Sequence, residues 1–209
     1  MRPTHPPMED KRVVLASGNA GKLREFSELL AATGLVLTRQ SDFGIAPPPE
    51  TGTTFLENAL IKARNAALLT GLPAIADDSG IEVDALGGAP GVYSARYAGE
   101  DATEEENLSK LLAALAGLPD AQRSARYRCV IVCVNSADDP HPLVGAGTWA
   151  GRIIETRRGS NGFGYDPSFV PAGDTRTVAE MPQDEKNLKS HRGQAMRAFL
   201  EQFGPRTRP

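Results

Sequence analysis

Cysteine is scarce in this sequence, neither sign of charge dominates, and no apolar run is long. Only Cys129 and Cys133 occur in 209 residues. Four apart on one strand, they would share a face yet stand roughly 13 Å apart, beyond disulfide reach. A disulfide scaffold is therefore excluded, and both thiols are expected to be packed and reduced, as in a cytoplasmic protein. No stretch is apolar for long enough to cross a bilayer. Met1–Asp10, proline-bearing and without an apolar block, is expected to be a loose tail rather than a leader. Lys and Arg total 23 against 26 Asp and Glu, a formal charge of −3. That balance gives no global attraction to nucleic acid or membrane, so any phosphate-binding surface must be local. Repeats and low-complexity blocks are missing too, and the length suits one domain with one or two lobes.

What is present is organised around Ala74 to Asp84, an apolar run that ends in Asp77, Asp78, Ser79 and Gly80 before an alternating segment. One reading is a strand, a tight acidic turn built on Gly80, and a second strand. The other is a pair of carboxylates at a strand end, holding a hard cation such as Mg²⁺ against phosphate oxygens.

The remaining pattern is that of an α/β chain. Arg12–Ala16 reads as a buried strand, Ser17 to Gly21 as a turn, and Lys22–Ala32 as a helix. A strand–glycine turn–helix unit aims backbone N–H groups at an anion. It is not a P-loop, because Leu23 stands where a hydroxyl is required. After a strand near Leu35–Thr38 and a proline-rich connection, Glu50-Thr51-Gly52 precedes a capping box, Thr54 to Glu57, and a helix to about Leu69. Lys62 falls beside that helix's apolar stripe, where a lysine ordinarily snorkels to the surface. Gly87 to Tyr97 is a shaped loop, and Thr103 to Glu106 a second capping box opening a helix to about Ala116. Ala125–Val134 and Leu143–Ile154 read as a hairpin, with Trp149 assigned to packing. Phe163 and Tyr165 sit among glycines, poorly placed for a core. Ser190 is placed to cap the last helix, which runs to about Phe203. His191 and Arg192 then fall in its first turn, just after Lys186, where cations oppose the macrodipole.

Taken in order, these motifs closely resemble the inosine/xanthosine triphosphate pyrophosphatase family, the house-cleaning enzymes for non-standard purine nucleotides. The motifs are Ser17-Gly18-Asn19-Ala20-Gly21-Lys22, Glu50-Thr51-Gly52 with Lys62, Asp77-Asp78-Ser79-Gly80, Gly87 to Tyr97, Gly162 to Pro167, and Ser190-His191-Arg192. The resemblance spans about Val13 to Phe203. It implies an α/β fold with a long twisted mixed sheet flanked by helices, two lobes, a central substrate cleft and a homodimer. Residues 11–204 would form that single two-lobed domain, between tails at 1–10 and 205–209. By the same resemblance Ser17, Gly18, Asn19, Ala20, Gly21, Lys22 and Lys62 contact phosphates. Glu50 and Asp78 hold Mg²⁺, Asp78 also accepts the proton, and Ser79 touches substrate. Phe163, Gly164, Tyr165 and Asp166 stack on or border the purine, and Lys186, His191 and Arg192 read its edge.

The implied reaction is Mg²⁺-dependent hydrolysis of inosine, deoxyinosine and xanthosine triphosphates to monophosphate and pyrophosphate, cleansing the nucleotide pool of deaminated purines. Two lysines, backbone N–H groups and a metal suit a triphosphate's negative charge. Two other enzyme and non-enzyme readings compete: a pyrophosphatase for pyrimidines, and a nucleotide sensor, which would not need Glu50 and Asp78. Nucleic-acid binding is disfavoured because no basic stripe is interleaved with aromatics.

Overall fold

A computed structural model describes residues 12–18, 26–27, 30 and 34–203. The expected tails, the helix over Lys22–Ala32, and Asn19, Ala20, Gly21 and Lys22 of the phosphate turn lie outside the described residues, apart from three helix positions. In chain order the elements are β1 (Arg12–Leu15), β2 (Val36–Arg39), α1 (Phe55–Thr70), β3 (Ala74–Val83) and α2 (Glu104–Ala114). There follow β4 (Ser124–Val134), β5 (Leu143–Ile153), β6 (Phe169–Pro171), α3 (Gln183–Lys189) and α4 (His191–Phe203). The six strands form one mixed sheet in the order β2-β1-β3-β4-β5-β6. Strand β1 runs parallel to β2 and β3, with Val13 opposite Leu37 and Val14 opposite Ala74, whereas β5 and β6 are antiparallel. An interior parallel strand is buried on both faces, and Val13, Val14 and Leu15 are accordingly all buried.

The chain clusters into two compact units. One comprises the chain as far as Asp78, Val130–Gly145 and the residues from Ala198; the other comprises Ser79–Cys129 and Ala146–Arg197. In the first, α1 lays an alanine seam (Ala59, Ala63, Ala66 and Ala67) on Val14, Ala74 and Val132. Small side chains let the helix backbone approach the sheet, and a larger residue there would overpack it. Both expected capping boxes form: Thr54 with Glu57 opens α1, and Thr103 with Glu106 opens α2. Gly71, in a left-handed conformation, closes α1. In the second unit, Leu108 and Leu111 of α2 and Leu115, which caps its C-terminus, pack with Ile81, Tyr127, Trp149 and Phe169. Trp149 is a packing residue, as its surroundings in the sequence suggested. Cys129 and Cys133 are buried, free thiols, and burial raises the Cys133 thiol to about 12.

Three features depart from the sequence reading. The expected acidic turn does not exist, because β3 runs unbroken from Ala74 to Val83 through both aspartates. Gly80 is needed for close approach instead: a Cβ there would strike the Gly91 carbonyl and the Ser94 hydroxyl, which receives the Ile81 N–H at 2.9 Å. Helix α3 is short and polar, without an apolar stripe to announce it. Tyr165, expected outside the core, belongs to it and donates its hydroxyl to the Ser94 carbonyl at 2.7 Å. Among the described residues no helix is long and apolar enough to cross a membrane.

Candidate active site

In the first unit the chemistry gathers on Lys62. The turn at Glu50–Gly52 leads into α1, whose first residues fix it by hydrogen bonds. Glu57 accepts from the Thr53 N–H at 2.7 Å and from the Thr54 N–H at 3.1 Å. Those bonds, the Thr53 N–H foremost, hold its carboxyl below the usual range. Asn58, fully buried, accepts the Gly52 N–H at 2.8 Å through its side-chain oxygen and donates to Asp78 at 3.3 Å. One turn further along, Lys62 does not snorkel. Its ammonium donates to Glu50 at 2.7 Å and to Asp78 at 2.9 Å, with only 8% of the residue exposed. Burial alone would lower the Lys62 pKa, yet the charges of Asp78, Asp77 and Glu50 outweigh it and raise the ammonium above its ordinary value.

This donor set fits a hard divalent cation. Asp77 and Asp78 are both buried, and Glu50 and Asp78 converge on one positive charge. Buried Asp77 and Asp78 and half-buried Glu50 thus group carboxylates around one spot, the oxygen chemistry that a hard cation takes. Among the described residues, no group of three His, Cys, Asp or Glu side chains can hold a metal unaided. At the end of β1, Ser17 is half-buried and Gly18 exposed; the rest of that turn lies outside the described residues.

In the second unit a cationic and aromatic group assembles around Asp166. The loop before it turns at Gly162, whose φ of 75° suits glycine, and a side chain there would collide with the Asp166 carboxylate. One Asp166 oxygen accepts from the Lys186 ammonium at 2.9 Å and the Phe163 N–H at 3.0 Å. The other accepts the Tyr127 hydroxyl at 3.0 Å. The Lys186 nitrogen lies 4.5 Å from the centre of the half-buried Phe163 ring, and the Arg192 guanidinium 5.8 Å from it. Arg192 also donates to the Ser79 hydroxyl at 3.1 Å, and Gly164 donates its N–H to Glu104 at 3.0 Å.

Ser190 caps α4 as expected, accepting the Gly193 N–H at 3.1 Å. His191 and Arg192 do open that helix, but both are buried, as is Lys186 on α3. The His191 ring stacks on Tyr127, 4.6 Å between centroids and 8° from parallel. Glu50, Lys62 and Asp78 thus come together in one unit, and Ser79, Phe163, Asp166, Lys186, His191 and Arg192 in the other. Tyr165 stands beside the second set with its ring in the core. Asn58 and Tyr127 escaped the sequence reading. A buried asparagine one residue after a capping-box glutamate was a signal for the first; the alternation of β4 marks Tyr127 only as inward-facing.

A sequence profile of the Ham1 family matches residues 13–202. The chain is 56% identical over 191 residues to a dITP/XTP pyrophosphatase of Shigella flexneri, covering 91% of this chain and 97% of that one. It is 57% identical over 192 residues to a dITP/XTP pyrophosphatase of Thioalkalivibrio sulfidiphilus, covering 92% and 98%. A solved HAM1 protein from Coxiella burnetii superposes with a TM-score of 0.85 at 48% identity, over 92% of this chain and 99% of the other.

Proposed function

The chain belongs to the Ham1 family, and from that premise we propose that it is a pyrophosphohydrolase of non-standard purine nucleoside triphosphates. Inosine, deoxyinosine and xanthosine triphosphates are converted to the monophosphate and pyrophosphate, which keeps deaminated purines out of DNA and RNA. The observation that carries this reading is the Lys62 ammonium held between Glu50 and Asp78.

Glu50 and Asp78 would hold Mg²⁺, which would supply positive charge to the phosphates of the bound substrate. Asp78 orients the attacking water and accepts its proton, a role typically worth about 10²–10⁴ in rate. The water oxygen bonds to the α-phosphorus in line with the departing bridge oxygen, and pyrophosphate leaves with that oxygen. Lys62, kept protonated by its carboxylate neighbours, offsets charge on the phosphates. The Ser17–Lys22 turn is assigned to the same phosphates by its sequence.

The base falls to the second unit. Phe163 offers the aromatic face, bordered by Gly164, Tyr165 and Asp166, and Ser79 contacts the substrate. Lys186, His191 and Arg192 donate to the carbonyl at C6 of hypoxanthine or xanthine, where adenine carries an amine. An adenine there leaves buried donors unpaired, and sites built this way discriminate by up to about 10⁴–10⁵. No side chain is assigned to the 2′ position, so ribo- and deoxyribonucleotides are both substrates. A homodimer in the cytoplasm, free of nucleic acid and membrane, completes the proposal. A panel of nucleoside triphosphates scored for pyrophosphate, with and without Mg²⁺, tests it. Inosine and xanthosine forms should dominate and require the metal; equal turnover of adenosine triphosphate would overturn the base assignment.

A further inference from the structure

Tyr127 is an inward-facing residue of β4, set there by the period-two alternation of buried Ala125, Tyr127 and Cys129. Its ring is boxed by two others. It stacks on His191 and meets the Phe169 edge at 4.7 Å and 63°. A buried phenol needs a polar partner, and this one donates to Asp166 at 3.0 Å. Burial first, then the Asp166 charge, holds the hydroxyl well above its ordinary value, so it remains a donor across the working pH range.

One side chain therefore touches both limbs of the group assigned to the base. Through its hydroxyl it holds the carboxylate that also takes Lys186 and the Phe163 backbone; through its ring it holds the plane of His191. We propose that Tyr127 is a positioning residue for base recognition, aligning Lys186 and Phe163 through Asp166 and orienting His191 by stacking. It touches no reacting atom. This inference rests on the reading that Lys186, His191 and Phe163 contact the purine.

Tyr127→Phe removes the hydroxyl and keeps both ring contacts, so the core packing is retained. Losing a hydrogen bond to a buried charged group is expected to raise KM for inosine triphosphate about tenfold while kcat changes less than about twofold. The preference for inosine over adenosine triphosphate should shrink by a similar factor, with the thermal midpoint lowered by only a few degrees. In an Asp166→Asn background the same substitution should have almost no further effect, because the two act as one unit. A uniform loss of kcat for every substrate with a lowered thermal midpoint would make Tyr127 merely structural and overturn the proposal. Lys186→Met separates the two levels of the argument. If it collapses the preference while Tyr127→Phe leaves KM and preference intact, the Tyr127 inference falls alone. If both are silent, the base assignment falls with it. Should Tyr127→Phe fail to fold, Tyr127→Trp, which keeps a ring and an N–H donor, takes the same readouts; normal preference with a folded Tyr127→Leu would overturn the proposal.

Discussion

The protein buries two lysine–aspartate pairs of equal length, Lys62 with Asp78 and Lys186 with Asp166, each at 2.9 Å. Their surroundings are opposite. Lys62 is outnumbered, with Glu50 bonded to it and Asp77 close enough to raise its affinity for the proton. At the second pair the carboxylate is outnumbered: Asp166 takes a phenol and a backbone N–H besides the ammonium, and Arg192 lies over the same ring as Lys186. A buried ion pair is costly unless its geometry and extra hydrogen bonds compensate. What each pair can do is therefore set by the groups gathered around it. Grouped carboxylates suit a cation and phosphate chemistry; grouped cationic donors suit a carbonyl-bearing base.

That contrast can be broken in four places. The largest effect is expected from Asp78→Asn, which should cut pyrophosphate release by about 10²–10⁴ while circular dichroism stays native; retained turnover would remove Asp78 from the chemistry. Lys62→Met takes the ammonium away from Glu50, Asp77 and Asp78. Removing one partner of a buried pair costs about 3–5 kcal/mol, and denaturant unfolding should recover part of that loss as MgCl₂ is added. A loss indifferent to Mg²⁺ would deny that these carboxylates hold a cation. Arg192→Ala should leave Asp78 chemistry in place and erode the preference for inosine over adenosine triphosphate by about 10–100-fold. An unchanged ratio would mean that base recognition lies elsewhere.

The smallest effect belongs to a surface control. Arg176 bonds Asp174 at 2.9 Å and Glu185 at 2.7 Å, and Lys189 joins Glu185 at 2.7 Å. Bonds from Arg176 and then Lys189 lower the Glu185 carboxyl from 4.5 to about 2. A depressed carboxylate stabilises the fold above its unfolded value and loses that contribution as pH falls through the folded one. The stability gap between wild type and Arg176→Ala should therefore be constant above pH 4.5 and narrow as pH falls through about 2 for Glu185, then close at lower pH through Asp174, which the same guanidinium holds lower still. Being exposed, it should be small and shrink with salt.

Local chemistry was legible in the sequence; partnership across the fold was only partly so. Thr54 with Glu57 and Thr103 with Glu106 announced both helix starts because a capping box is complete within four residues. Lys62 looked like a surface lysine because its partners, Glu50 and Asp78, stand far from it in sequence and only the fold brings them close. The same limit produced the missing turn: aspartate, serine and glycine prefer turns locally, but bonds from Lys62 and Asn58 to Asp78, and from Ile81 to Ser94, favour a continuous β3. Family motifs supplied what periodicity could not, singling out Glu50, Lys62 and Asp78. Tyr127 lay in no motif, so its place beside His191 and Asp166 had to come from the structure.

The central claim is that water attacks the α-phosphorus under the direction of Asp78. Hydrolysis of inosine triphosphate in ¹⁸O-labelled water tests it directly. The label is expected in inosine monophosphate, with the pyrophosphate unlabelled. Label in pyrophosphate, or in orthophosphate released first, would contradict it.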